Sequence, residues 1–303
     1  MKKVDEFGSG VEEKEIPKGL LEKFQVQDSS AVSPTPTPGP VSAGKKTKKA
    51  SGAKKAAFVI PNRRSSLNPV WVGEKMTLEI TYLGMSAGDF VAEVMPMKSV
   101  NERKVYHLKG GAQSSSIFSL FYKVNDWMES YWDFEGLFSH RFHLVLDQTR
   151  QSRDALELYD SEKKSAFYWN RRNHVTKGYE EKKETTTIPP WPQDAFSILY
   201  FIRQLPLEDG KVYTVPVISE GKAWEAVITV MRREKCDYPG VKTTCIVVRP
   251  QTRFEGVMRQ DRGDSLLWLT DDDRRFLVQM EAKVKIGTVN AVLKKVELGA
   301  KPE

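Results

Sequence analysis

Beyond about residue 70 the chain alternates apolar and polar positions with a period of two, the spacing of strands that bury one face. The pattern is clearest between Leu266 and Leu293. Leu266, Trp268 and Thr270 alternate with other residues, and a charged turn follows. Phe276, Val278, Met280, Ala282 and Val284 then keep strict alternation, Gly287 breaks the run, and Val289, Ala291 and Leu293 resume it. This predicts two or three antiparallel strands on one apolar face. Met76, Leu78, Ile80 and Tyr82 repeat the pattern, as do Phe90, Ala92 and Val94, with Gly84 and Gly88 marking a bend between them. Further runs lie at 104–110, 124–132, 138–146, 155–159, 166–170, 174–182, 212–219, 223–232 and 243–250. About a dozen strands joined by short turns predict an all-β fold, one large antiparallel sheet curled into a barrel or half-barrel.

One segment has helical rather than strand spacing. Over 191–204, Pro192 suits a first turn and Pro206 prevents extension. Ala195, Ile198, Leu199 and Ile202 form an apolar stripe that Phe196 and Tyr200 widen. A helix this apolar must be covered on most sides, so it is expected to plug a barrel mouth or lie in the concavity of the sheet. Residues 116–122 predict a second, shorter helical turn, and Gly110-Gly111 reads as a bend. Residues 29–44 (SSAVSPTPTPGPVSAG) form a Pro/Ser/Thr linker, and a Lys-rich run continues it. Residues 1–65 therefore read as a disordered tail and linker, and 66–303 as the β domain. Within the tail, Ile16 to Phe24 is modestly amphipathic and predicts only a transient helical turn.

Charge is unevenly placed. The net value is +7, yet residues 44–64 alone carry eight basic and no acidic side chains. Residues 1–43 have 5 basic and 7 acidic groups, and residues 65–303 have 34 and 33, so the folded part is close to neutral. The basic balance belongs to the tail and does not mark a nucleic-acid-binding domain. The run Lys45–Lys55 has no interleaved aromatics. It is read as a solvated linker, with anionic lipid, envelope polymer or nucleic acid as partners that charge alone would attract. No stretch of 18 apolar residues occurs, so no transmembrane helix is expected.

Candidate chemistry is sparse. Asp271, Asp272 and Asp273 crowd together, but Arg274 and Arg275 follow at once and calcium-loop spacing is absent, so a solvated hairpin turn is expected. His107, His140, His143 and His174 show no metal-ligand spacing, and no metal or cofactor is expected. Cys236 and Cys245 flank a Pro239-Gly240 turn and could face each other across a hairpin. An oxidising compartment would bond them, and a reducing one would leave two thiols. The aromatic residues carry more. Trp127 and Tyr131 share one face of a predicted strand, Trp132 faces the other way, and Trp224 lies on a later strand. With Phe196 and Tyr200 of the helix, Trp127, Tyr131 and Trp224 are candidates to line a pocket for an apolar ligand. The plainer alternative is core filling. Arg203, which ends the helix, is a candidate partner for an anionic head group or for a nearby acid.

Four segments in order resemble the bacterial domain-of-unknown-function 3108 family. They are VGEKMTLEITYLGMSAG (72–88), FYKVNDWMES (121–130), DAFSILYFIRQLPLEDG (194–210), and WLTDD (268–272) with KIGTVNAVL (285–293). The resemblance implies an exported or lipid-anchored bacterial protein rich in antiparallel sheet, with no established activity. Met1-Lys2-Lys3 is not followed by an apolar run, so the sequence as written carries no signal peptide. The acidic, Pro/Ser-rich opening looks like the spacer behind a lipoprotein anchor, which leads to the expectation of a signal segment and anchoring cysteine upstream. If Met1 is the true start, the cytoplasm is expected instead. The leading functional expectation is a non-enzymatic cell-envelope protein that holds an apolar or amphipathic ligand, or a protein partner, in its curled sheet. One alternative is a hydrolase of envelope polymer using Asp271, Asp272 or Glu281. Another is a cytosolic module that binds nucleic acid through the Lys-rich tail.

Overall fold

The computed structural model of the protein describes residues 16–28, 58–254, 257–259, 265–283 and 287–302. After helix α1 (Lys18–Lys23) come strands β1 (Gln27–Asp28), β2 (Val72–Tyr82), β3 (Met85–Val100), β4 (Arg103–Ser114) and β5 (Asn125–Asp133). Next are β6 (Ser139–Gln148), β7 (Gln151–Asp160), β8 (Ser165–His174), β9 (Gly178–Thr187) and helix α2 (Ser197–Ile202). The chain closes with β10 (Val212–Ser219), β11 (Lys222–Tyr238), β12 (Val241–Phe254), β13 (Val257–Arg259), β14 (Ser265–Thr270), β15 (Leu277–Lys283) and β16 (Thr288–Ala300). All sixteen belong to one antiparallel sheet. Its main path runs β10-β11-β12-β14-β15-β16-β2-β3-β4-β5-β6-β7-β8-β9, with β1 added to β3 and β13 to β12. Consecutive strands are neighbours almost throughout. In the middle, β16 pairs with β2 and joins the two halves of the chain.

The sheet is curled but not closed, because β9 and β10 end the path without pairing. Its concave side holds the main core, which includes Leu78, Val94, Tyr106, Leu108, Trp132, Tyr159, Ile228 and Val248. Phe196, Tyr200 and Phe201 of the α2 segment pack into the same cluster. The helix therefore sits in the concavity, one of the two placements its apolarity predicts. Register shifts bend the strands, and one of them breaks the alternation that looks strictest in the sequence. Between Trp268 and Leu269 the β14–β15 pairing slips, so that Trp268 opposes Gln279 and Leu269 opposes Leu277. Leu277 and Phe276 then both reach the main core, while Val278 joins Trp268 in a separate cluster. A bulge places two successive residues against one and re-aims the side chain between them.

Three further expectations are corrected. The run 174–182 contains a turn, since β8 ends at His174 and β9 begins at Gly178. Gly110 and Gly111 lie inside β4 opposite Met128 and Trp127, not at a bend. A Cβ on Gly110 would stand 3.0 Å from the Phe196 ring, so the glycine lets α2 approach the sheet. Finally, residues 16–28, assigned by composition to the unfolded tail, are built onto the convex face. Ile16 and Phe24 flank α1 and are buried against Val105, Tyr131, Leu156, Leu158 and Trp169, with Leu20 and Leu21 packed alongside. Lys23 Nζ lies 2.9 Å from Asp160 Oδ2, and β1 pairs with Ser99 and Lys98. A six-residue helix is marginal alone and needs this surface to form. Residues 29–57, with the Lys45–Lys55 run, fall outside the described residues.

Candidate functional site

The predicted helix at 191–204 is shorter in the structure because its first residues have other tasks. Trp191 has a φ of 59°, outside helical geometry. The Gln193 side chain accepts from Trp132 Nε1 at 2.9 Å and donates to the Leu137 carbonyl at 2.7 Å. Asp194 caps the helix, its Oδ1 accepting from the Phe196 and Ser197 amides at 2.8 and 2.7 Å, while the Ser197 hydroxyl accepts from the Asp194 amide at 3.0 Å. This is a reciprocal capping arrangement. Ser130 and Ser139 donate to Asp194 Oδ2 at 2.5 and 2.6 Å. Burial pushes the Asp194 carboxyl up from its ordinary value, and these hydroxyls and amides oppose the rise. The Asp-x-x-Ser pattern over 194–197 was the signal for this start.

Capping fixes which way α2 faces. Phe196, Tyr200, Phe201, Ile202 and Arg203 are buried in the core, while Ala195 is exposed and Ile198 and Leu199 are half-buried on the face toward a cavity that Ile202 also borders. That second face meets β10, β11, β12, β14 and β15 across a cavity of about 470 Å³. Val217, Trp224, Ala226, Leu267 and Met280 supply apolar walls. Ser219, Glu220, Gln251, Thr252 and Ser265 contribute polar groups near the strand ends. Ala195, Ile198 and Leu199 of the stripe that predicted a covered helix therefore border open space, while Ile202 packs into the core with the flanking Phe196 and Tyr200.

A second contact shapes the cavity mouth. Glu220 and Gly221 form the β10–β11 turn with φ of 56° and 71°, the primed-turn geometry of a two-residue hairpin. The turn tip docks on the concave side of β7 and β8. Glu157 Oε1 accepts from the Glu220 amide at 2.9 Å, Arg153 Nη1 donates to Glu220 Oε1 at 2.8 Å, and a Cβ on Gly221 would meet Tyr168 at 2.9 Å. Burial pushes the Glu157 carboxyl up to about 7, with the Glu220 and Gly221 amides and the Tyr159 hydroxyl pulling down and Asp194 pushing up. This contact draws the two unpaired ends of the sheet together without strand pairing.

The six predicted ligand residues do not form one site. Trp224 lines the cavity. Phe196 and Tyr200 stand behind it in the core, their rings 5.5 Å apart and edge-on. Arg203 is enclosed, with Nη1 2.6 Å from Glu74 Oε1 and Nη2 2.8 Å from Oε2, so of its two expected partners the acid is the one it meets. Tyr131 lies on the opposite, convex face under the α1 segment, and Trp127 stands edge-on to His143. The alternation put Trp127 and Tyr131 on one face, but nothing in it said which face is concave. Cys236 and Cys245 are bonded across β11 and β12, with Cα atoms 5.7 Å apart.

The carboxylates of the hydrolase alternative are not brought together. Asp272 Oδ1 accepts from Thr270 Oγ1 and from the Arg274 and Arg275 amides, which makes it a turn-builder. Asp271 accepts from Arg233, and Glu281 lies well along β15 opposite Leu266 and Asn290. His140 and His143 serve different acids, Asp133 at 3.0 Å and Asp154 at 2.8 Å. Among the described residues no group of His, Cys, Asp and Glu is assembled to hold a metal, and no helix is long and apolar enough to cross a membrane.

Fold and cavity together define a β-barrel-like domain, a curled antiparallel sheet wrapped around a short helix. The model of the family described as protein of unknown function (DUF3108) matches residues 77–294, and the chain belongs to that family. A β-barrel-like protein of domain of unknown function DUF1849 from Brucella abortus has a similar structure, with TM-score 0.50 and 10% identity, covering 76% of this chain and 99% of that one. A "putative lipoprotein" from Parabacteroides distasonis aligns with TM-score 0.34 and 9% identity over 79% of this chain and all of its own. A "putative exported protein" with YmcC-like fold from Bacteroides fragilis aligns with TM-score 0.33 and 10% identity over 80% of this chain and all of its own. No curated protein matches the sequence.

Proposed function

We propose that this protein is a non-catalytic binding module of the cell envelope that takes an apolar or amphipathic ligand between α2 and strands β10–β15. The cavity carries the reading. Its volume of about 470 Å³ falls within the roughly 300–1,000 Å³ typical of small-molecule sites. Apolar walls with polar groups near the strand ends suit a ligand with an apolar body and a polar end. The bonded cysteines are consistent with an oxidising compartment.

The test is titration with cis-parinaric acid, a fluorescent fatty acid. Saturable enhancement is expected from the native chain. Ala195 is exposed at the cavity rather than packed in the core. Ala195→Trp should therefore fill the space and weaken binding by about tenfold or more while leaving the fold intact. Absence of saturable binding, or equal binding by the Ala195→Trp chain, would remove the reading.

A further inference from the structure

The rim formed by the β2–β3, β4–β5, β6–β7 and β8–β9 turns is a row of adjoining loops. The Ser115 amide donates to the Ala87 carbonyl at 2.8 Å, Thr149 to Lys123 at 3.0 Å, and Val175 to Arg150 at 3.0 Å, linking each connection to the next. The β4–β5 connection in this row is built inside out. Three serines are tied into the turn: the Ser114 and Ser119 hydroxyls lie 2.7 Å apart, Ser114 Oγ accepts from the Val124 amide, and Ser115 Oγ accepts from the Phe118 amide. The apolar residues turn outward, with Ile117, Leu120 and Phe121 exposed to 74, 81 and 80%. Leu83 and Met85 of the β2–β3 turn and Val175 of the β8–β9 turn are also more than half exposed. Water gives no reason to hold six large apolar side chains on hydrogen-bonded turns, and such a patch marks an interaction surface.

We infer that this rim docks on an anionic phospholipid bilayer, inserting the Ile117–Phe121 turn and its neighbours. Two features favour a bilayer over a protein partner. The apolar groups stand on three of the adjoining loops rather than in a groove or along one strand face, and a fluid surface can accept them whatever their spacing. They are also interleaved with base: Arg150 and Lys177 are exposed and lack an acidic partner among the described residues, while Lys123 pairs with Asp147 at 3.0 Å. Basic groups beside inserted apolar tips would lie at the level of lipid phosphates. Glu220, Thr252 and Ser265 of the cavity lie toward the same end of the sheet, since β10, β12 and β14 reach it there. The docking inference stands without any ligand in that cavity.

The test is co-sedimentation of the full chain with vesicles of phosphatidylcholine and a minority of phosphatidylglycerol, at moderate salt and again at about 0.5 M NaCl, which screens attraction through Lys45–Lys55. The native chain is expected to sediment under both conditions. Ile117→Ser/Leu120→Ser/Phe121→Ser should lower partitioning at least about tenfold, because binding scales with the apolar area inserted. Matching melting curves would establish that this variant is folded, and Ala195→Trp should bind vesicles as the native chain does. Equal partitioning by the triple variant would overturn the inference, as would a native chain that ignores vesicles. The second result would point to a protein partner for the rim.

Discussion

Arg203 reaches Glu74 from the end of α2 with both terminal nitrogens, where neither side chain meets water. Arg274 adds a third bond to the same carboxylate at 2.7 Å, its guanidinium lying 3.7 Å from the centre of the Trp71 ring. One acid thus serves two arginines. Glu74→Ala should cost about 3–5 kcal/mol in urea unfolding, the usual penalty for stranding a buried charge. Glu74→Leu with Arg203→Met should recover much of it, since a well-packed apolar pair avoids desolvating the ions. Arg203 was legible as a residue needing a partner. Glu74 was not, because only the curl of the sheet brings β2 to the helix end.

Strands were legible as elements because half-buried strands must alternate, and the alternation survives at Met76/Leu78 and Phe90/Ala92/Val94. It fails where geometry is shared between strands. The slip at Trp268 depends on the partner β15, and the packing role of Gly110 depends on Phe196 across the concavity. The α1 segment failed for another reason. Ile16, Leu20, Leu21 and Phe24 have helical spacing, but their stability comes from a convex-face cluster made by β3, β4, β5, β7 and β8. Such a segment should leave before the sheet unfolds. Phe24→Ala is expected to speed tryptic cleavage after Lys23 severalfold while the urea midpoint of the domain moves little. A large fall in the midpoint would mean that the segment is integral to the core.

Over the whole molecule, beside the bridge from Gln193 to Val217, the β10–β11 turn on Glu157 is one of the contacts that hold an unclosed sheet in its curl. Its chemistry makes stability depend on pH. The folded Glu157 carboxyl titrates at about 7, above the ordinary glutamate value of 4.5. Folding therefore favours the protonated form. The associated stability is fully present below pH 4.5 and is lost as pH rises through about 7. The full effect is on the order of 3 kcal/mol. Urea midpoints measured from pH 4.5 to 8 should fall for the native chain and stay flatter for Glu157→Gln. Parallel profiles would contradict the assignment. This closing contact left no mark in the sequence, since a lone glutamate on a strand and an exposed-looking turn are each unremarkable. A curled all-β domain was legible, but the cavity was not, because its walls come from a helix face and five strands whose order the alternation does not set.

The pairing of β16 with β2 has a consequence in time. A growing chain completes β2 to β9 as a meander of adjacent neighbours long before its last strand exists. Throughout that interval the outer edge of β2 is a bare row of amides and carbonyls, available to any other nascent chain. The contact that finally covers it, Leu298 against Glu74, spans most of the polypeptide and is among the slowest kinds to form. The final strand is therefore the clasp that ends that exposure.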